Sequence, residues 1–150
     1  MTDFELGQRF DVVTCLFSAI AHLLTHERLQ AAIDSMARHV NDGGLLIVEP
    51  FIRPDEWRPN HISLDQVDEQ DLKVARITRS TREGDVVVMD MQFLVGTPDG
   101  IKHYREEIPA RLVNDEELMQ TVSSAGLDVD HDPVGLMGRG LFIGKRPAGA

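Results

Sequence analysis

Apolar positions along the chain follow three rhythms. Phe10 to Leu16, FDVVTCL, is an apolar run rich in branched side chains, as expected of a strand covered on both faces. Between Thr25 and Val40 the apolar residues Leu29, Ala32, Ile33, Met36, Ala37 and Val40 recur at helical spacing. Thr25 suits an N-cap with Glu27 in the first turn, and Asn41 to Gly44, NDGG, offers a left-handed stop. Leu45 to Pro50, LLIVEP, then reads as a second buried strand. Strand, helix, glycine turn and strand predict a right-handed βαβ crossover joining parallel strands.

After Pro50 the rhythm breaks. Phe51 to Asp71 holds two prolines, one tryptophan and many acids, and reads as a long loop or lid. From Leu72 to Val113 the pattern alternates, predicting three strands with turns at Glu83-Gly84-Asp85 and Thr97-Pro98-Asp99-Gly100, an antiparallel meander. Helical spacing returns with Asn114 as cap, Leu118, Met119 and Val122 on one face, and Gly126 as stop. A last strand is expected at Gly140 to Gly144. The expected organisation is a core piece at 1–53, a lid and antiparallel block at 54–112, and a helix and strand at 113–150 that return to the core.

Composition narrows the function classes. With 150 residues and 42% hydrophobic content, the chain can bury a substantial core. A formal charge of −10 argues against a broad surface for nucleic acid or anionic membrane, because such surfaces are built from accumulated Lys and Arg. No apolar run has the length of a membrane span, and the first ten residues, MTDFELGQRF, do not resemble a secretory leader, so the cytoplasm is the expected compartment. Cys15, the single cysteine, falls within an apolar strand and reads as a small core residue rather than a nucleophile.

Candidate chemistry gathers at strand ends, where open α/β sheets place their ligands. Ser18 and His22 follow the first strand, and Glu49-Pro50 ends the second. His22 is of the residue type best suited to accept a proton or orient a substrate ammonium, or it caps and stabilises the segment. His22 and His26 with Glu27 are spaced like metal ligands on a helix, but no third ligand is evident and no metal is expected. Arg139 stands between Gly138 and Gly140; it fits either a fork for a phosphate group or a solvated strand-entry turn. Trp57 is an aromatic wall or plain loop packing. Lys102-His103-Tyr104-Arg105 is a phosphate-binding surface or, more simply, a solvated strand face. Neither glycine pair joins a first strand to a following helix, so the sequence looks like the second half of a doubly wound sheet.

The segments DFELGQRFDVVTCLFSAIAHL, DGGLLIVEPF, VARITRSTREGD, AGLDV and GRGLFIGKRP occur in an order that resembles class I S-adenosylmethionine-dependent methyltransferases. They look most like the N,N-dimethyltransferases of nucleotide-linked amino deoxysugars, matching the C-terminal part of that family without its glycine-rich cofactor motif. The fold implied is α/β, the C-terminal half of a Rossmann-like sheet with an inserted antiparallel three-stranded block. The resemblance implies S-adenosylmethionine as cofactor, a small nucleotide-sugar amine as substrate, and a homodimer. By the same resemblance Met1 lies beside the adenine, Leu16, Phe17 and Ser18 line the methionine end, and His22 faces the acceptor amine as the catalytic residue. Glu49, Phe51, Trp57 and Arg139 are implied on the acceptor side, with Ile52 departing from the aromatic residue common at its position. The alternative is an incomplete methyltransferase-like chain that serves association alone.

Overall fold

A computed structural model of the chain describes residues 1–149. It contains two compact units: Met1–Glu56 with Arg111–Ala150, and Trp57–Ala110.

The first unit is built on a four-stranded sheet in the order β1-β2-β8-β7, from β1 (Phe10–Cys15), β2 (Val40–Val48), β7 (Asp128–Asp132) and β8 (Leu141–Lys145). β1 and β2 run parallel, with Val13 opposite Leu46 and Cys15 opposite Val48. The crossover between them is α1 (His26–Arg38), which confirms the expected strand-helix-strand unit. Thr25 caps α1 by accepting the Arg28 N–H at 3.3 Å. Its apolar stripe, Leu29, Ala32, Ile33 and Met36, is buried together with Leu46, Val48 and Phe142 of the sheet. Leu118 and Val122 of α2 (Asp115–Ser124) join the same core.

The NDGG segment does something other than stop the helix. α1 ends at Arg38 with His39 as its C-cap, and β2 already begins at Val40. Phe10 pairs with Val40 but Val12 pairs with Leu45, so Asn41 to Gly44 form an excursion inside the strand. Gly43 supplies the positive φ of 77° that this excursion needs. The reason lies at His39: its buried ring accepts the Leu6 N–H at Nε2 (3.0 Å), leaving Nδ1–H to reach the Ser35 carbonyl (2.7 Å), so the helix end is closed before the glycines.

The second unit is an antiparallel sheet of four strands, not the expected three, in the order β3-β4-β5-β6. β3 (Ile62–Asp68) comes from the segment read as loop and pairs along its length with β4 (Lys73–Glu83). β5 (Val86–Thr97) and β6 (Gly100–Arg111) follow through the two turns read from the sequence. β3 escaped notice because its side chains lie almost wholly in solvent, which removes the inward apolar alternation of a half-buried strand. β7 was missed for a related reason: only Val129 and His131 of its five residues are partly buried.

Candidate functional site

The carboxyl ends of β1 and β2 meet at one place, and the chain there is under strain. β1 stops at Cys15, and Phe17 and Ser18 both adopt left-handed backbone, with φ of 54° and 58°. For residues carrying a Cβ this conformation costs on the order of 1–2 kcal/mol each, so something must hold it. A short 3-10 turn, Ala19–His22, follows directly.

Two restraints do the holding. Pro50 cannot donate to a ladder, which ends β2 at Val48, and the Glu49 N–H makes the last rung to the Cys15 carbonyl at 2.8 Å. The Glu49 side chain then turns under the strained residues, where Oε2 accepts the Phe17 N–H at 2.5 Å. Ser18 Oγ donates to the Pro50 carbonyl at 2.9 Å and accepts from Arg139 Nη1 at 2.8 Å. Arg139 also lies over the Phe51 ring, 5.7 Å from its centroid.

The electrostatics are unusual. Glu49 is 1% exposed, and its second oxygen, Oε1, is buried with no hydrogen-bond partner among the described residues. Above it, Phe17 is 80% exposed. A buried carboxyl oxygen without a partner inside and an apolar ring outside is a poor solution for stability alone. Arg139 is held by its glycine neighbours at φ of 75° and 86°, and a Cβ at Gly140 would sit 2.8 Å from His131 Nε2. Sequence placement located Arg139 beside a glycine turn but did not foresee its bond to Ser18.

Hydrogen bonds and ring contacts therefore join Phe17, Ser18, Glu49, Phe51 and Arg139. Leu16 precedes the turn and its carbonyl accepts the Ala19 N–H at 3.3 Å. His22 ends the 3-10 turn and is exposed. Met1 is half-exposed at the head of a segment that docks on α1 through Thr2 and Phe4, the Phe4 ring stacking on His39 at 4.7 Å. Trp57 belongs to the second unit, where Nε1 donates to Ser80 Oγ at 3.2 Å and the Arg82 guanidinium lies 5.8 Å from its ring centre. His26 is separated from His22 by the Thr25 cap and pairs through Nδ1 with Glu117 Oε1 at 2.9 Å. No group of three or more His, Cys, Asp or Glu that could hold a metal occurs among the described residues. None of the described helices is long and apolar enough to cross a membrane. Cys15 is buried, and desolvation pushes its thiol up to about 11.

No protein-family model matches the chain. Among curated proteins it is similar to the dTDP-3-amino-3,6-dideoxy-alpha-D-glucopyranose N,N-dimethyltransferase of Streptomyces fradiae, 39% identical over 145 residues, covering 96% of this chain and 57% of that protein. The dTDP-3-amino-3,4,6-trideoxy-alpha-D-glucopyranose N,N-dimethyltransferase of Streptomyces venezuelae is 37% identical, covering 96% and 61%. Among solved structures, Streptomyces venezuelae DesVI superposes with a TM-score of 0.91 at 36% identity, covering 98% of this chain and 62% of that one. The S-adenosylmethionine-bound amino pentose methyltransferase CalS10 of Micromonospora echinaspora superposes at 0.88 with 36% identity, covering 97% and 61%. The chain thus spans about three-fifths of the length of these relatives and carries the corresponding part of the S-adenosylmethionine-dependent methyltransferase fold.

Proposed function

We propose that these residues form part of an S-adenosylmethionine-dependent N-methyltransferase that acts on the amine of a small, nucleotide-linked amino sugar. The observation that carries this reading is similarity to sugar N,N-dimethyltransferases running through 96% of the chain.

The residues at the strand ends fit the chemistry. Methyl transfer to an amine is an in-line displacement, helped chiefly by alignment and by exclusion of water. S-adenosylmethionine supplies the methyl group on a sulfonium; Leu16, Phe17 and Ser18 would hold its methionine end, and Met1 its adenine. The strained turn presents the Phe17 ring outward, where it can shed water from the reacting atoms. The acceptor nitrogen forms its bond to carbon as the sulfur–carbon bond breaks, and its proton leaves to His22 or to water. On the acceptor side Arg139 would meet a diphosphate with the N–H groups its bond to Ser18 leaves for a ligand, while Phe51 backs it. The contacts of Trp57 to Ser80 and Arg82 favour packing within its own unit.

Association is the second part of the proposal. Leu64 faces Ile77, and Ala75 faces Leu94, across neighbouring strands, while Leu64, Ile77, Leu94 and Ile101 are all largely exposed. Such an apolar face favours a homodimer formed through the second unit; the cytoplasm is the compartment proposed for it.

The test is incubation of the monodisperse chain with S-adenosylmethionine and dTDP-3-amino-3,6-dideoxyglucose, read by mass spectrometry, beside calorimetric titration with S-adenosylhomocysteine. Methylated product supports the proposal. Absence of both binding and transfer would overturn it and favour the association-only reading, which sedimentation of the same sample would then examine.

A further inference from the structure

The unpartnered oxygen of Glu49 has one simple explanation. A carboxylate buried to 1% exposure with one oxygen bonded and the other bare carries an uncompensated desolvation cost. The bonded oxygen is fixed by the Phe17 N–H at 2.5 Å, so the bare one cannot turn to reach that partner. The roof above it is the left-handed pair Phe17 and Ser18, whose strain is of the kind that collects at ligand clamps. The roof is tied on its far side by the Ser18 hydroxyl to Pro50 and Arg139.

We infer that Glu49 Oε1 is the acceptor for a cationic N–H donor on a ligand, an ammonium group, and that Phe17 and Ser18 are the clamp that closes it from water. The inference rests on the proposed function for its two candidate sources, the amino-acid ammonium of the methyl donor and the amine of the acceptor sugar. It adds a charge-reading role for one atom, which neither fold nor sequence similarity supplies. A neutral hydroxyl in the same place would recover only part of the interaction, since hydrogen bonds to a charged acceptor from a charged donor are about twice as strong as neutral ones. Glu49 would then help to select amine over alcohol.

Glu49→Gln is the discriminating variant. Its amide oxygen can keep the Phe17 N–H while its NH2 group replaces Oε1, turning the acceptor into a donor with little change of shape. The Phe17 amide proton is the direct reporter, because it is bonded to the same carboxylate. The experiment follows its NMR resonance, with calorimetry, while the chain is titrated with S-adenosylhomocysteine, with dTDP-3-amino-3,6-dideoxyglucose, with the matching 3-hydroxy sugar nucleotide, and with methylammonium against methanol. The expected result is a Phe17 shift with one ammonium-bearing ligand but not with its neutral counterpart, and an affinity loss of about tenfold to a hundredfold in Glu49→Gln. Loss confined to S-adenosylhomocysteine assigns the site to the methyl donor; loss confined to the amino sugar, with the hydroxy sugar unchanged, assigns it to the acceptor. If the chain binds neither nucleotide ligand yet Phe17 answers methylammonium and not methanol, the ammonium site stands and the methyltransferase reading fails. Should Phe17 stay silent to every ammonium, or Glu49→Gln bind all ligands as the parent does, Oε1 is served by water alone and the inference is wrong. If Glu49→Gln does not fold, the titrations of the parent chain still decide.

Discussion

Arg139 Nη1 lies 2.8 Å from Ser18 Oγ, a hydrogen bond that spans 121 residues of sequence and ties the entry to the last strand to the strained turn after the first. The same hydroxyl donates to the Pro50 carbonyl at 2.9 Å. One side chain therefore satisfies two partners and holds a backbone that would otherwise relax.

Ser18→Ala removes both bonds and keeps a Cβ at φ 58°. We expect a loss of about 1–3 kcal/mol in unfolding free energy, the usual cost of stranding buried polar partners. Ser18→Gly loses the same bonds but relieves the left-handed strain, so it should be more stable than Ser18→Ala by about 1 kcal/mol. Urea denaturation of the three proteins gives the order; equal stability of Ala and Gly variants would show that the turn is not strained.

Burial governs Cys15. Desolvation pushes its thiol from 9.0 up to about 11, and the thiolate is the reactive form. The folded protein should therefore resist iodoacetamide at pH 8 and react promptly in urea. A folded-state acidity below that of the unfolded chain means protons are held more tightly when folded. This contribution to stability is complete below pH 9 and declines as pH rises from about 9 toward 11. Thermal melts across that window should fall less steeply in Cys15→Ala than in the parent.

Much of this was legible in the residues, and the failures share a cause. The β1-α1-β2 unit announces itself because branched apolar runs and a 3.6-residue stripe are long and clean. The second unit's turns were equally plain. β3 and β7 were hidden because their side chains face solvent, so the period-two signal that marks a half-buried strand is faint. At the site, strand-end logic led to Ser18 and Glu49, but nothing in the sequence says that a glutamate is buried or that Phe17 and Ser18 turn left-handed without a glycine. Those facts arise from tertiary packing, which outweighs local preference there.

His22 stands at the end of the 3-10 turn that the Phe17–Ser18 pair launches. If it takes the proton from the acceptor amine, His22→Ala should lower kcat on the order of a hundredfold while the acceptor KM changes much less. Residual methylation should persist because alignment supplies much of the rate. Equal loss in binding and turnover would instead mark a residue that shapes the turn. Initial-rate kinetics on purified product mixtures separate the two.

The helix caps differ in quality. Asn114 accepts the Glu117 N–H at 2.8 Å at the start of α2, whose first turn carries Asp115, Glu116 and Glu117; Thr25 accepts the Arg28 N–H at a longer 3.3 Å. Asn114→Ala is expected to cost about 1 kcal/mol, and Thr25→Ala less than that. Chemical denaturation of each variant checks the ranking, and a larger loss at Thr25 would contradict it.

Gly43 and Gly44 are adjacent, yet substitution should affect them unequally. At Gly43 an added Cβ meets nothing within 4 Å, and only the positive φ of 77° opposes it. Gly43→Ala should therefore cost about 1 kcal/mol. At Gly44 the Cβ would fall 2.8 Å from the Asp11 carbonyl and 2.9 Å from the Asn41 carbonyl, both backbone atoms that cannot swing aside. Its C=O is also held, because it accepts the Arg146 N–H at 2.9 Å. Relief requires the β1–β2 pairing to open beside the strand excursion, so Gly44→Ala should cost about 1–3 kcal/mol, in the manner of an overpacked site. Hydrogen exchange offers the sharper readout: in Gly44→Ala protection should fall along the β1–β2 register from Val12 to Cys15, whereas Gly43→Ala should leave those amides as slow as in the parent.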